Sequence, residues 1–217
     1  MVSIFVRAGI LTLLILGAWW LFSINFEGQR NTQLLGQIDA VITQESAIDA
    51  YLDYLESSDE NERFCSVLLD HISRQNEKLF SLVQLLDQAR YNNLENQYSL
   101  VRQRFQSANA QLFFSLKKFE KKCPPTEKLN QPILYFFPDN KPCSDCVLQA
   151  QILDQVRDAC EKPIQIFAFP VEGGIETIDL LVKDYGIRQT PSLVIEDTVY
   201  PGVQSPSFLN EKLGCQN

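Results

Sequence analysis

The stretch that decides the reading is Pro132-Ile133-Leu134-Tyr135-Phe136-Phe137-Pro138-Asp139-Asn140-Lys141-Pro142-Cys143-Ser144-Asp145-Cys146-Val147-Leu148. Residues 132–137 are a continuous apolar run, as in a strand buried on both faces. Residues 138–142 are turn formers. Beyond Cys146, the residues Val147, Leu148, Ile152, Leu153 and Val156 recur at helical spacing. A buried strand therefore feeds a helix that begins at two cysteines three apart. Such a pair can close a disulfide across the first turn. The Cys143 sulfur falls at the helix N-terminus, where partial positive charge favours the thiolate, the nucleophilic form. Lys141 adds positive charge nearby and Asp145 negative charge. Cys146 lies one turn inside, placed to resolve a mixed disulfide.

Toward the C-terminus, Ile164–Phe169 reads as a second strand, so the unit is strand–helix–strand. Residues 175–185 form another helix, stopped by Gly186. Thr190-Pro191-Ser192-Leu193-Val194-Ile195 and Thr198-Val199-Tyr200 read as a hairpin turning at Glu196-Asp197. Ser205 caps a last helix with Pro206 at its first position.

This order, with Cys143-Ser144-Asp145-Cys146, Thr190-Pro191 and the segment from Ser192 to Gly202, resembles the thioredoxin family over about residues 130–215. The resemblance implies an α/β thioredoxin-like domain over residues 130–217. It implies a thiol–disulfide oxidoreductase acting on protein cysteines, with Cys143 and Cys146 catalytic and no cofactor. It implies that Pro191 is cis and packs on the active-site disulfide, and that the Thr190 backbone holds the partner's chain. In such a fold the motif helix and the last helix run the same way on one face, so Cys160 and Cys215 can meet in a disulfide. The alternative for that pair is a second redox couple exchanging electrons with Cys143. The chain departs from the family where Pro142 replaces a tryptophan, where Ser144-Asp145 is an unusual dipeptide, and where no acidic residue lies beneath the motif. Asp145 opposes the Cys143 thiolate, which favours reduction or isomerisation over strong oxidation. Two other readings stand beside this one. A zinc site lacks a second ligand pair near the motif. A non-catalytic adaptor would keep the Cys143–Cys146 disulfide as structure and bind an envelope or membrane partner.

Upstream, residues 28–123 contain no proline and only two glycines, Gly28 and Gly36. Apolar residues recur three and four apart in three stretches, the seam of packed or coiled helices. Breaks fall at residues 57–61 and 91–93. The expectation is an all-α antiparallel bundle of three helices serving as a stalk, with Pro124-Pro125 ending it. Cys65 opens the second helix and Cys123 closes the third, equidistant from the turn near residue 94, so a hairpin brings them within disulfide range. The stalk reads as a spacer, a dimerisation surface or a partner-binding surface. His71, the single histidine, sits among polar residues and reads as solvated and non-catalytic.

At the N-terminus, Arg7 is the only charged residue between Val2 and Phe26. Roughly 20 apolar residues span a bilayer core. Trp19 and Trp20 suit an interface, and no small-x-small cleavage site follows. Residues 1–26 are therefore expected to form an uncleaved transmembrane signal anchor, a cleaved signal peptide being the rival. The charge at the start places the N-terminus in the cytoplasm and the C-terminal domain outside it.

The remaining bulk features bound the function. The 217 residues are 45% hydrophobic and 21% charged, a globular composition. The net charge of -8 argues against nucleic acid, whose phosphates need clustered Lys and Arg. Six cysteines permit full pairing in an oxidising compartment. The expected partners are protein thiols and disulfides, with a redox partner in the membrane. No metal site is expected, and oligomeric state is not legible.

Overall fold

The computed structural model describes residues 9, 12–21, 47–58, 61–91, 95–125, 129–139 and 141–215. The chain divides into two compact units, Met1–Glu60 and Asn61–Asn217. In the first unit, residues 12–21 and 47–57 are helical. Most of the anchor expected over 1–26, and of the first stalk helix expected from residue 28, lies outside the described residues. Among the described residues no helix is long and apolar enough to cross a membrane.

The second unit begins with two long helices, α1 (Asn61–Tyr91) and α2 (Glu95–Lys122), packed as an antiparallel hairpin. A disulfide joins Cys65 to Cys123 at its base, with the Cα atoms 5.6 Å apart. It closes 58 residues of chain. In the chain-entropy account such a closure stabilises by about 4 kcal/mol.

Then follow β1 (Gln131–Pro138), α3 (Ser144–Ala159), β2 (Ile164–Val171), α4 (Glu176–Asp184), β3 (Ser192–Ile195), β4 (Thr198–Pro201) and α5 (Pro206–Leu213). The sheet order is β2-β1-β3-β4. β1 runs parallel to β2 and antiparallel to β3, which forms the hairpin with β4. This is a thioredoxin-like α/β fold. The β3–β4 turn is two residues long, and Glu196 and Asp197 both take positive φ, 49° and 59°. That is the twist-matched hairpin turn. The Ser205 hydroxyl accepts the Phe208 N–H at 3.3 Å, and Gly214, left-handed at φ 64°, ends α5.

β1 is buried on both sides, which explains its unbroken apolar run. Ile133, Tyr135 and Phe137 face the layer of α3 and α5 with Leu153, Val156 and Leu209. On the other face, the Phe136 and Phe167 rings each approach Phe169, and the Phe113 ring of α2 meets Phe167 edge-on at 5.6 Å. Asn109 donates to the Ala168 carbonyl at 3.4 Å, and Gln165 donates to Asn76 of α1 at 3.2 Å.

The hairpin is therefore not a spacer set apart from the α/β layers. Residues 61–217 are one compact unit, and α2 lies with α4 over one face of the sheet. Nor is it a two-stranded coiled coil. α2 buries Ala108, Asn109, Ala110, Leu112, Phe113 and Leu116, a stripe too broad for one seam because α1 and the sheet both cover it. His71 corrects the sequence expectation too. It is 3% exposed, because it shares a face with Leu68, Ile72 and Gln75 despite its polar sequence neighbours.

Candidate functional site

The site is built where β1 ends. Beyond β1 the sequence leads within a few residues to α3, whose N-cap is Cys143. Cys143 and Cys146 form a disulfide, with Cα atoms 5.2 Å apart. Cys143 Sγ also accepts the Cys146 N–H at 3.1 Å, taking the place of a capping oxygen. Cys143 is partly exposed, whereas Cys146 is 6% exposed. The outer sulfur, of Cys143, is thus the more accessible of the two.

Pro191 is buried and its peptide bond with Thr190 is cis. β3 begins one residue later, with Ser192 paired to Phe136 of β1. Thr190-Pro191 and the motif loop consequently lie at the same end of the sheet. The Pro191 carbonyl accepts the Gly202 N–H at 2.8 Å, and Ser192 Oγ donates to the Gln189 carbonyl at 2.8 Å. These bonds fix the cis segment from both sides.

Lys141 and Asp145 are differently placed. Lys141 Nζ is 3.1 Å from a Glu172 oxygen, and both side chains are 71% exposed. Its charge is balanced by that carboxylate, so little remains for the Cys143 thiolate. Asp145 is exposed in the first turn of α3.

The other cysteines lie elsewhere. Cys160 is the C-cap of α3 and bonds to Cys215, Cα atoms 5.0 Å apart. The sixteen-residue helix separates that pair from Cys143 by roughly 25 Å at 1.5 Å per residue. Direct exchange between the two couples is excluded at that distance. Cys65–Cys123 sits at the base of the hairpin. Among the described residues no cluster of His, Cys, Asp or Glu has the makings of a metal site.

Several groups around the motif were not singled out in the sequence. Tyr135 donates to the Cys146 carbonyl at 2.7 Å, and burial pushes its phenol up to about 12. Period-two alternation from Ile133 puts Tyr135 on the α3 face, so its position was readable. Gln149 is fully buried one turn beyond Cys146, and its Oε1 accepts the Gln204 N–H at 2.6 Å. A polar residue on the Cys146–Leu153–Val156 face was the available signal. Arg102 of α2 pairs with Asp139, four residues before Cys143. Nothing in the sequence links those two charges.

A cavity of about 470 Å³ lies at the opposite end of the sheet, between α2, the start of β1 and the β3–β4 turn. There Lys117 bridges Glu120 and Asp197, at 3.2 and 3.0 Å, and Tyr185 donates to Asp197 at 3.0 Å. It is remote from the cysteines.

No family model and no curated protein matches this chain. Among solved structures, a point mutant of the thioredoxin-like protein BC3987 is similar at 23% identity, covering 39% of this chain and 96% of that one, with a TM-score of 0.31. A structure titled as a malarial protein is similar at 19% identity, over 40% of this chain and 96% of that one, with a TM-score of 0.31. Thioredoxin from Aeropyrum pernix is similar at 22% identity, over 39% of this chain and 73% of that one, with a TM-score of 0.31.

Proposed function

We propose that the protein is a thiol–disulfide oxidoreductase acting on cysteines of other proteins. One observation carries the reading. The partly exposed Cys143 sulfur caps a helix and accepts an N–H from it, and its disulfide partner is the nearly buried Cys146. That N–H, at the positive end of the helix, is equally placed to stabilise a thiolate after reduction.

In the reductive direction, the Cys143 thiolate attacks a substrate disulfide. A bond forms between Cys143 and one substrate sulfur, and the other leaves as thiolate. Cys146 then releases its proton to solvent and attacks Cys143, expelling the second substrate thiolate and restoring the Cys143–Cys146 bond. Two electrons pass from protein to substrate; the single proton, from Cys146, goes to solvent, and the two substrate thiolates take up any protons they need from solvent. A dithiol donor, in our reading a redox partner in the membrane, restores the reduced form. Asp145 in the first turn, and a Lys141 balanced by Glu172, favour a reductase or isomerase over a strong oxidase.

Thr190 and Pro191, in this reading, present backbone to the substrate chain beside the disulfide. We place the domain outside the cytoplasm, held by a membrane anchor over residues 1–26. The apolar N-terminal sequence supports this, as does the pairing of all six cysteines.

A second reading is a non-catalytic adaptor. It is favoured by Val147 and Leu148, 60% and 48% exposed beside the motif, an apolar patch that suits binding without turnover.

Trapping separates the two. Cys146→Ala should accumulate mixed disulfides with partner proteins, because Cys143 attacks and nothing resolves the adduct; Cys143→Ala should accumulate few. The reduced wild type should also turn over insulin disulfides. Equal trapping by both variants, together with no turnover, would establish the adaptor.

A further inference from the structure

The loop between β1 and α3 carries Cys143, and two ion pairs hold it. One is the exposed pair of Lys141 with Glu172. The other reaches outside the thioredoxin-like layers. Arg102, on α2 of the helical hairpin, pairs with Asp139, the first residue after β1. The Asp139 side chain is 9% exposed and that of Arg102 32%. The Asp139 N–H continues the β1–β2 ladder by donating to the Val171 carbonyl at 3.2 Å. Asp139 is thus fixed by its main chain to the sheet and by its carboxylate to the hairpin, and four residues later the chain reaches Cys143. A carboxylate so little exposed depends on its counterion, since an uncompensated buried charge is strongly disfavoured. With Arg102 removed, the loop must shift to hydrate Asp139, or Asp139 must keep an uncompensated charge four residues before Cys143. Either outcome disfavours the Cys143 thiolate.

We propose that Arg102 is a positioning residue for Cys143, acting through Asp139, so that the α1–α2 hairpin sets the reactivity of the Cys143–Cys146 couple. The inference rests on the oxidoreductase reading for its biological use, but not for its test. The other charges at this end, Asp145 and the Lys141–Glu172 pair, are common to all variants below.

In Cys146→Ala, Cys143 is the only free thiol, because the other four cysteines are paired. Alkylation by iodoacetamide, which joins carbon to sulfur and releases iodide, then reads Cys143 alone in the full-length protein. Adding Arg102→Ala should slow alkylation at neutral pH about fivefold and move the midpoint of its pH profile upward, the direction expected when a nearby negative charge loses its partner. Arg102→Lys should restore the rate to within about twofold, since a cation is again within reach of Asp139. Asp139→Asn keeps a hydrogen-bonding partner for Arg102 without the negative charge, and should move the midpoint downward; it serves if Arg102→Ala does not fold. Midpoints at the wild-type position in the folded variants would overturn the proposal, whatever their melting temperatures. If these shifts appear while Cys146→Ala and Cys143→Ala trap partners equally and wild-type protein turns over no insulin, the positioning role stands and the oxidoreductase reading falls.

Discussion

Tyr135 donates its phenolic proton to the main-chain carbonyl of Cys146 at 2.7 Å, tying the central strand to the first turn of the motif helix. A phenol held up to about 12 by burial stays protonated throughout the physiological range, so it donates but does not accept a proton. Tyr135→Phe should therefore destabilise the domain by about 1 kcal/mol, the worth of one neutral hydrogen bond. It should leave the rate of mixed-disulfide resolution within threefold. Stopped-flow resolution against pH checks this. A collapse in rate would mean that the phenol has a proton-transfer role.

Asp145→His replaces an exposed negative charge in the first turn of α3. The helix N-terminus favours a Cys143 thiolate, and Asp145 opposes it. Removing the opposition should stabilise the reduced form and raise the reduction potential, by no more than about 30 mV because solvent screens the charge. Equilibration with glutathione measures it. A lowered potential would refute the charge argument.

Phe113→Ala tests the seat of the hairpin. The ring is 3% exposed and meets Phe167 and Phe169 at 5.6 and 6.4 Å. Removing it should lower stability by about 3–5 kcal/mol, as for large-to-small core changes. Urea unfolding followed by fluorescence and circular dichroism gives the number. A loss under about 1 kcal/mol would contradict close packing of α2 on the sheet.

The Lys117–Asp197 pair joins α2 to the β3–β4 turn and predicts a pH dependence. The hydrogen bond from Lys117 holds the Asp197 carboxyl below its ordinary value, with a further bond from Tyr185 and against the opposing effect of burial. A depressed folded value means stability present above the unfolded carboxyl value, about pH 4, and lost as pH falls through the folded one. For Lys117, burial lowers the value, but the bonds from Asp197 and Glu120 outweigh it and leave the amine raised. Its contribution is present below about pH 10.4 and lost as pH rises through the raised folded value. The Asp197 side chain is 64% exposed, so the effect should stay under about 1 kcal/mol. Asp197→Asn should flatten the acid limb of thermal stability between about pH 2 and 5. A mutant with the wild-type acid slope would exclude the pair as its source.

Local chemistry was the legible part of this fold. The apolar run at 132–137 belongs to a strand covered on both faces, and Glu196-Asp197 and Ser205-Pro206 mark a turn and a cap whose residues dictate their backbone. What covers a helix is not written in its own sequence. The apolar stripe of α2 reads equally well as a bundle seam or as a cover for a sheet, and only the long-range contact of Phe113 with Phe167 decides between them. The same limit hid Arg102 and Asp139, charges 37 residues apart that the fold alone brings together. His71 is buried among polar sequence neighbours because residues three and four away, not adjacent ones, share its helix face.

The bond between Cys65 and Cys123 also sets how the second unit carries mechanical load. Tension entering along the chain near Asn61 reaches Cys65 after four residues and crosses the covalent bridge to Cys123, close to the start of β1. The intervening chain, residues 66–122, about 190 Å if drawn out, lies off that line. A pull from the N-terminal side is therefore delivered to the sheet while both long helices stay slack. Reduction of this one disulfide would put the hairpin in series with the force and turn it into an extensible element.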